Sequence, residues 1–383
     1  MRCDVAVIGA GLAGLQSARL LAARGFHVVL IDRKASVAAA IQTTGIFVRK
    51  TWEDFPLPDE QLGTGIRDVF LYSPRGQRLH LTAGHDEFRL GRMDWIYLNL
   101  LEHCGRAGVQ WLPSTELVGC HGNASGVRLS LIRHRRSAEL FAQYVIGADG
   151  ARSRVARQLG LDRNTQFLVG VEEVVAIADA QPALHCYVDP DLAPGYIAWV
   201  VTDRGEAHIG VAGYHNAFDP VQSLIAFRKK VGFATAKLIE RRGGLIPVNG
   251  VLRTIANQHA LLVGDAAGAV SPLTAGGLDG AMRLSTHAAA VIAAYLERRD
   301  PTVLRAYDGA QFQTRFIARR WMRRAMRLAQ SRVLVETAFA MSHIPAVRAF
   351  AAHVFFSRGS FPDLRRWDRL PANSPAEAGG PAG

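Results

Sequence analysis

Three glycine-centred segments combine residue types and spacings that can hold an extended anionic ligand. The first is Gly9-Ala10-Gly11-Leu12-Ala13-Gly14, with Asp32 eighteen residues beyond its last glycine. The second is Gly147-Ala148-Asp149-Gly150-Ala151-Arg152-Ser153. The third is Gly264-Asp265-Ala266-Ala267-Gly268, running on to Pro272 and Gly276-Gly277. In the first segment Gly9 permits a tight turn. Gly11 lets the backbone approach a pyrophosphate, and Gly14 lets a helix pack closely on a strand. Leu12 and Ala13 open that helix, whose positive dipole end faces the phosphates. Asp32 can accept hydrogen bonds from both hydroxyls of an adenosine ribose and would repel a 2′-phosphate. Arg33 beside it is the residue that pulls the other way.

An Asp149-Gly150 turn alone is simply a turn. The third segment gives it weight. Asp265, delivered by a strand, can hold a ribityl hydroxyl, and Ala266, Ala267 and Gly268 leave room for phosphates to pass. Gly276 and Gly277 open a helix at Leu278 whose amides can stabilise negative charge on the edge of a reduced flavin. A nicotinamide dinucleotide needs no second cradle, whereas FAD is long enough to need both ends held. The three segments together predict FAD.

The elements that must position these segments are legible around them. Val5-Ala6-Val7-Ile8 reads as a buried parallel strand, Leu12 to Arg24 as a helix ended by Gly25, and His27 to Ile31 as the next strand. Phe70-Leu71-Tyr72 and Arg78-Leu79-His80-Leu81 flank a Ser-Pro-Arg-Gly turn and form a hairpin of a second, β-rich layer. Met93 to Ala107 reads as a helix, and Val127–Ile132 with Glu139–Val145 as another hairpin. The run from Phe167 to about Gly244 reads as strands, including Tyr196 to Val201 and His208 to Val211. Leu261-Leu262-Val263 is a last parallel strand, and Leu278 to Leu296 is helical. From Pro301 to Phe356 the chain reads as helix, and Pro371 to Gly383 as a disordered tail.

The fold class expected is α/β: a Rossmann-like FAD-binding domain, a β-sheet substrate domain and C-terminal helices. The expected FAD-binding domain is discontinuous, residues 1–69, 92–165 and 245–300. The substrate domain takes 70–91 and 166–244, the helical region 301–370 and the tail 371–383.

The 383 residues are 49% hydrophobic and 20% charged, ordinary globular composition. Cys3, Cys104, Cys120 and Cys186 show no CxxC and no metal spacing, so no metal site is expected, and they read as free thiols of a reducing cytoplasm. No apolar stretch is long enough for a spanning helix. The net charge of +12 suits anionic surfaces, or reflects a general arginine bias. No nucleic-acid motif is present, so that partner is excluded.

On the three segments quoted, the chain resembles the FAD-dependent oxidoreductases that include aromatic hydroxylases and geranylgeranyl reductases. Gly264-Asp265-Ala266-Ala267-Gly268-Ala269-Val270-Ser271-Pro272-Leu273-Thr274 looks most like the geranylgeranyl reductase branch. The following Ala275-Gly276-Gly277-Leu278 departs from that branch's Gly-Glu-Gly-Ile. Its cysteine–glycine pair near the flavin is here Thr43-Thr44-Gly45, and its Pro-x-x-Tyr-x-Trp-x-Phe-Pro segment retains only Pro194 and Trp199, with Tyr196 one place early. The resemblance implies that Arg92 meets the flavin diphosphate; read as a residue alone, Arg92 is a solvated cation at a helix start. Tyr196 and Trp199 are expected to wall an apolar cavity over the flavin, or to pack as sheet core.

His80, His85, His103, His185 and His208 are dispersed, and no acid/base dyad is evident, so no catalytic residue is assigned. That suits a flavoenzyme, whose cofactor carries the chemistry. Arg315, Arg319, Arg323 and Arg327 recur along one face of a C-terminal helix, with Ile317, Trp321, Ala325 and Leu328 on another. That helix is expected to pack its apolar face inward and solvate its arginines. The alternative is a peripheral contact with anionic lipid. The apolar residues near 333–335 and 352–356 would cap the cavity or touch the bilayer.

The function expected is hydride transfer between flavin N5 and a hydrophobic small molecule. The alternative is a flavin monooxygenase hydroxylating or epoxidising a lipophilic or aromatic substrate. A non-catalytic flavin-bound redox partner is a third class. The electron donor expected is NAD(P)H or a ferredoxin-like protein, and the location cytoplasmic or at a membrane surface.

Overall fold

The computed structural model describes residues 1–356 apart from 179, 215, 217, 314, 315 and 329, and only the backbone of 327 and 328. Arg315 and the expected tail from Pro371 lie outside the described residues. The first strand, Arg2–Ile8, is buried almost throughout, because sheet neighbours flank it and helices cover it. Val28–Ile31 pairs parallel with it on one side and carries Gln110–Leu112 beyond. On the other side runs the long strand Arg136–Gly147. That strand changes partner along its length. Its beginning forms the expected hairpin with Gly126–Arg133, and its end pairs parallel with Ala260–Leu262. Thr115–Asn123 adds an outer strand that sequence reading did not separate.

The helices Leu12–Ala22 and Leu278–Arg298 pack on each other, and Met93–Arg106 packs on the first of them. The Leu278–Arg298 helix is tied down by Arg283, which is fully buried yet paired with Asp279 at 2.8 Å and Asp54 at 2.6 Å. Here a buried guanidinium has its counter-charges in place.

The second sheet has the order Leu238–Pro247, Phe167–Ala176, Glu206–Tyr214, Ala198–Asp203, Ala183–Tyr187, Asp68–Tyr72, Arg78–Thr82. It is antiparallel except where Ala183–Tyr187 meets Asp68–Tyr72. The expected hairpin thus lies in the expected layer. One expectation fails: within 167–244 the segment Pro220–Lys230 is a helix. Its start was legible, since Asp219 caps it by accepting from the amides of Val221 (2.9 Å) and Gln222 (3.1 Å), with Pro220 in the first turn. Leu224 and Phe227 pack it on one sheet face, against Val200, Ala207 and Ile209.

The C-terminal helices lie over the opposite face. Phe339, Ala352, Phe355 and Phe356 pack with Leu184, Val201 and Trp199. Glu336 anchors them, accepting from Ser73 Oγ (3.0 Å), the Arg75 amide (2.8 Å) and Gln77 Nε2 (3.0 Å) of the hairpin turn. The Ile317–Leu328 helix overturns the expected orientation. Its apolar Ile317 and Trp321 face out, 51% and 63% exposed, while Arg323 is only 3% exposed. The solvated-arginine reading fails because the space beneath this helix is walled by polar groups and tyrosine faces, to which a guanidinium is better suited than a leucine.

No single helix among the described residues is long and apolar enough to cross a membrane.

Candidate functional site

The first strand has parallel neighbours on both sides, one reached by each direction of winding, so a crevice opens at its carboxyl end. The first motif fills that place. Gly9 has φ +104°, and a Cβ on it would lie 2.2 Å from the Ala148 carbonyl oxygen. A Cβ on Gly14 would lie 1.9 Å from the Gly9 carbonyl oxygen. A Cβ on Gly11 would meet nothing, so the backbone there borders open space. Asp32 faces the same turn. One of its oxygens accepts from the Ala10 amide at 2.7 Å and the other from the Lys34 amide at 2.8 Å, which fixes the carboxylate's direction. Arg33 is exposed beside it.

The second motif packs against the first through Ala148. Both oxygens of Asp149 are already engaged: Ser153 Oγ donates to one at 2.6 Å, and the amides of Arg154 (2.6 Å) and Val155 (3.1 Å) donate to the other. Asp149 therefore builds the turn and starts the Arg154–Gln158 helix, rather than presenting a free carboxylate.

In the third motif Gly264–Ala267 is one tight helical turn after the last parallel strand. Gly268 closes it at φ +68°, where a Cβ would lie 2.4 Å from the Gly250 carbonyl oxygen. Asn164 links the motifs by donating to the carbonyls of Ala151 (3.0 Å) and Asp265 (2.8 Å). The Asp265 carboxylate accepts no hydrogen bond from the described residues, and burial pushes it up to about 6. A carboxylate left without a donor in a buried turn is a place for a ligand hydroxyl. Pro272 lies in the loop leading to Gly276 and Gly277. A Cβ on Gly277 would stand 3.4 Å from Asp265 Oδ1, so the helix start borders the same space. Ala275 stands at φ +53°, a left-handed conformation that strains a residue with a Cβ.

The feature that sequence reading missed is an acid–histidine pair between the sheets. Glu172 is buried in the Phe167–Ala176 strand. It accepts from Trp199 Nε1 at 3.1 Å, lies 3.2 Å from His208 Nδ1, and is approached by Arg242 at 3.7 Å and by Thr44 Oγ1. Burial alone would raise its pKa. The His208, Thr44 and Arg242 contacts outweigh burial and hold it below the ordinary glutamate value. Arg242 also donates to the Thr43 carbonyl at 3.0 Å, and the Gly91 amide donates to the Gly45 carbonyl at 2.7 Å, so the Thr43-Thr44-Gly45 segment is pinned between the sheets. Tyr97, buried on the Met93–Arg106 helix, lies in the field of both Asp265 and Arg242. The third motif and the Glu172 cluster therefore approach one another around this phenol.

A signal was available: Glu172-Glu173 interrupts an apolar strand. The two acids face opposite sides. Glu173 takes Arg228 and Arg241, both at 2.5 Å, beside the Pro220–Lys230 helix.

The structure brings Trp199 to this cluster, its ring lying flat on Gly210, where a Cβ would be 2.1 Å away. Tyr196 falls just before the Ala198–Asp203 strand, not within it. It is buried and its hydroxyl donates to the Thr274 carbonyl at 2.6 Å, on the loop of the third motif. Arg92 is exposed at the start of the Met93–Arg106 helix, stacked 4.2 Å over the Trp95 ring. The four cysteines are buried and free, and burial pushes each thiol up to about 12, so thiolate chemistry has no place here.

This cradle fits FAD: open backbone at Gly11, an oriented Asp32, and an unpartnered Asp265 beside a helix start. Comparison with known proteins agrees. A family model described as FAD binding domain matches residues 2–212, and one described as lycopene cyclase protein matches residues 218–366. The chain is 30% identical over 330 residues to digeranylgeranylglycerophospholipid reductase 2 of Methanothermobacter thermautotrophicus, covering 80% of this chain and 83% of that one. The chain belongs to the geranylgeranyl reductase family of FAD-binding proteins.

Other proteins are similar in sequence or in fold. The digeranylgeranylglycerophospholipid reductase of Methanosarcina acetivorans is 28% identical over 298 residues, 73% of this chain and 72% of that one. In fold, the geranylgeranyl bacteriochlorophyll reductase-like protein of Thermoplasma acidophilum superposes with a TM-score of 0.81 at 19% identity, covering 96% of this chain and 98% of that one. The flavin-dependent monooxygenase PieE, solved with FAD and substrate, gives 0.70 at 21% identity, covering 93% and 71%. This geranylgeranyl reductase family member is an FAD-dependent oxidoreductase.

Proposed function

We propose that the protein reduces carbon–carbon double bonds in the isoprenoid chain of a lipid. The observation that carries this reading is the apolar wall beside Glu172. Ile197 and Trp199 stand on the sheet face that Phe339, Ala352, Phe355 and Phe356 roof over, which is a lining for a hydrocarbon chain. Bound FAD, once reduced, supplies the hydride. Gly11 and the Leu12-Ala13-Gly14 helix start would hold its diphosphate, with Arg92 close by, and Asp32 its adenosine ribose. Asp265 would hold the ribityl chain, and the amides after Gly276-Gly277 the flavin edge. Trp199 and the C-terminal helices would orient the chain and exclude water. Saturating one double bond takes a hydride and a proton. The electrons would come from NAD(P)H or a ferredoxin-like protein.

The test is a single turnover under argon. The FAD-loaded protein is reduced chemically, then mixed with a geranylgeranyl lipid. The expected result is return of the oxidised flavin spectrum with loss of one double bond per flavin. Reoxidation only on admission of oxygen, with an oxygen atom found in the lipid, would establish the monooxygenase reading instead.

We also infer that the C-terminal helices rest on a membrane surface. Ile317, Trp321, Val333, Leu334 and Phe350 are all exposed, beside Arg320 and Arg324. Apolar side chains outward, flanked by cations, suit an anionic bilayer. The protein should pellet with vesicles containing phosphatidylglycerol, and the Trp321→Glu, Leu334→Glu double variant should stay in the supernatant. Equal pelleting of both would refute the contact.

A further inference from the structure

We propose that Arg323, turned inward from the Ile317–Leu328 helix, forms a subsite for a phosphate group with Arg320 and Arg324 at its mouth, and that it takes the anionic head of the lipid whose chain runs toward Trp199. The inference rests on the lipid reading above and extends it to the other end of the substrate.

Arg323 carries the argument. It is 3% exposed, and Nε, Nη1 and Nη2 have no hydrogen-bond partner among the described residues. Its guanidinium stacks between two rings, 5.3 Å from the Tyr196 centroid and 5.1 Å from that of Tyr214. Cation–π contact offsets part of the desolvation but satisfies none of the five N–H donors. A buried cation without a counter-ion is costly. Arg283, as deeply buried, is paired with two aspartates. The contrast marks Arg323 as a cation whose partner is a ligand.

The surroundings choose the ligand's chemistry. Arg323 borders an open pocket shared with Arg320, Arg324, Tyr214, Asn249 and Gln166. Among the described residues, the charged groups on its wall are three arginines, with no acid among them. Planar guanidinium forks match the oxygens of a phosphate group.

The pocket also points along a path. Tyr196, Val248 and Tyr214 belong to an apolar cluster that continues to Ile197 and Trp199, and Trp199 touches Glu172. An amphiphile with its head at Arg323 would thus lay its chain along the wall described above. The pocket is coupled to the cofactor loop as well. Tyr196 bonds the Thr274 carbonyl, and Arg319 donates to Ser271 Oγ at 3.1 Å.

The test uses the full, FAD-loaded chain and its Arg323→Met variant, which keeps the stem and removes the fork. Flavin retention and melting temperature establish that the variant folds, and Arg323→Lys, retaining charge alone, gives an intermediate. Binding of geranylgeranyl phosphate, geranylgeraniol and inorganic phosphate is measured by equilibrium dialysis. The wild type should bind geranylgeranyl phosphate about ten- to a hundredfold more tightly than the alcohol, the range expected for hydrogen bonds to a charged group. Arg323→Met should erase that advantage and leave alcohol binding unchanged. Inorganic phosphate that binds the wild type alone, with no advantage for the lipid phosphate, would overturn the headgroup assignment and identify free phosphate as the ligand. Equal binding of all three ligands by both proteins would overturn the subsite. If neither protein reduces the lipid while phosphate still separates them, the reductase reading fails and the subsite stands.

Discussion

Replacing Gly14 with valine is expected to yield a protein that loses FAD and is destabilised by about 3 kcal/mol, the upper range for forced overpacking. The cause is geometric. The first side-chain carbon would stand 1.9 Å from the Gly9 carbonyl oxygen and 3.2 Å from the Ala148 side chain. Neither is the far end of a flexible chain, so the helix must leave the strand and the Gly9 turn must shift with it. The ratio of flavin to protein absorbance after gel filtration reads the first effect, and urea unfolding reads the second. Gly11→Ala is the discriminating partner. Its added carbon meets no protein atom. It should therefore fold with unchanged stability and still bind FAD at least tenfold more weakly. If Gly11→Ala holds FAD as the wild type does, the diphosphate does not lie against that turn.

Glu172→Gln is expected to cost about 3 kcal/mol at pH 7, the scale for removing one partner of a buried charged cluster. The carboxylate accepts from Trp199 and Thr44 and faces His208 and Arg242. An amide offers a single acceptor oxygen where the carboxylate has two, and it carries no charge to set against the Arg242 guanidinium. The pH dependence follows from the sign of the shift. Because the folded-state pKa of Glu172 lies below the ordinary 4.5, its contribution is fully present above pH 4.5 and is lost as pH falls through the lower folded value. The stability gap between wild type and variant should therefore be constant from pH 7 down to about 4.5 and shrink below it. Chemical denaturation at pH 7, 5 and 3 measures this. A gap that does not change with pH would show that Glu172 is not held as a charged carboxylate.

These two sites differ in how readable they were. Gly9, Gly11 and Gly14 act within a few residues of one another, and Asp32 follows at the distance one strand–helix–strand unit imposes. Such a pattern survives as spacing. The Glu172–His208 pair does not. His208 comes from another strand, and only the antiparallel register that sets Glu172 opposite Gly210 brings the histidine two residues along to the same face. Dispersed histidines in the sequence carry no trace of that register. The charged interruption at Glu172-Glu173 was the available clue. The Pro220–Lys230 helix was obscured for a different reason: eleven residues among short strands, with a weak apolar stripe and its clearest mark in the Asp219-Pro220 start.

The sequence by itself determined FAD as the cofactor, the α/β class with its strand-rich second layer, and the helical C-terminus, because each rests on local backbone demands and short-range periodicity. The tertiary structure alone decided which way the Ile317–Leu328 helix faces. Its pattern is equally amphipathic in either orientation, and hydrophobicity alone would have turned Trp321 inward. What settles the matter is the surface beneath it, two tyrosine faces and the polar Gln166 and Asn249, assembled from segments distant in the chain. Against such a floor a guanidinium keeps favourable contacts that an apolar side chain could not make.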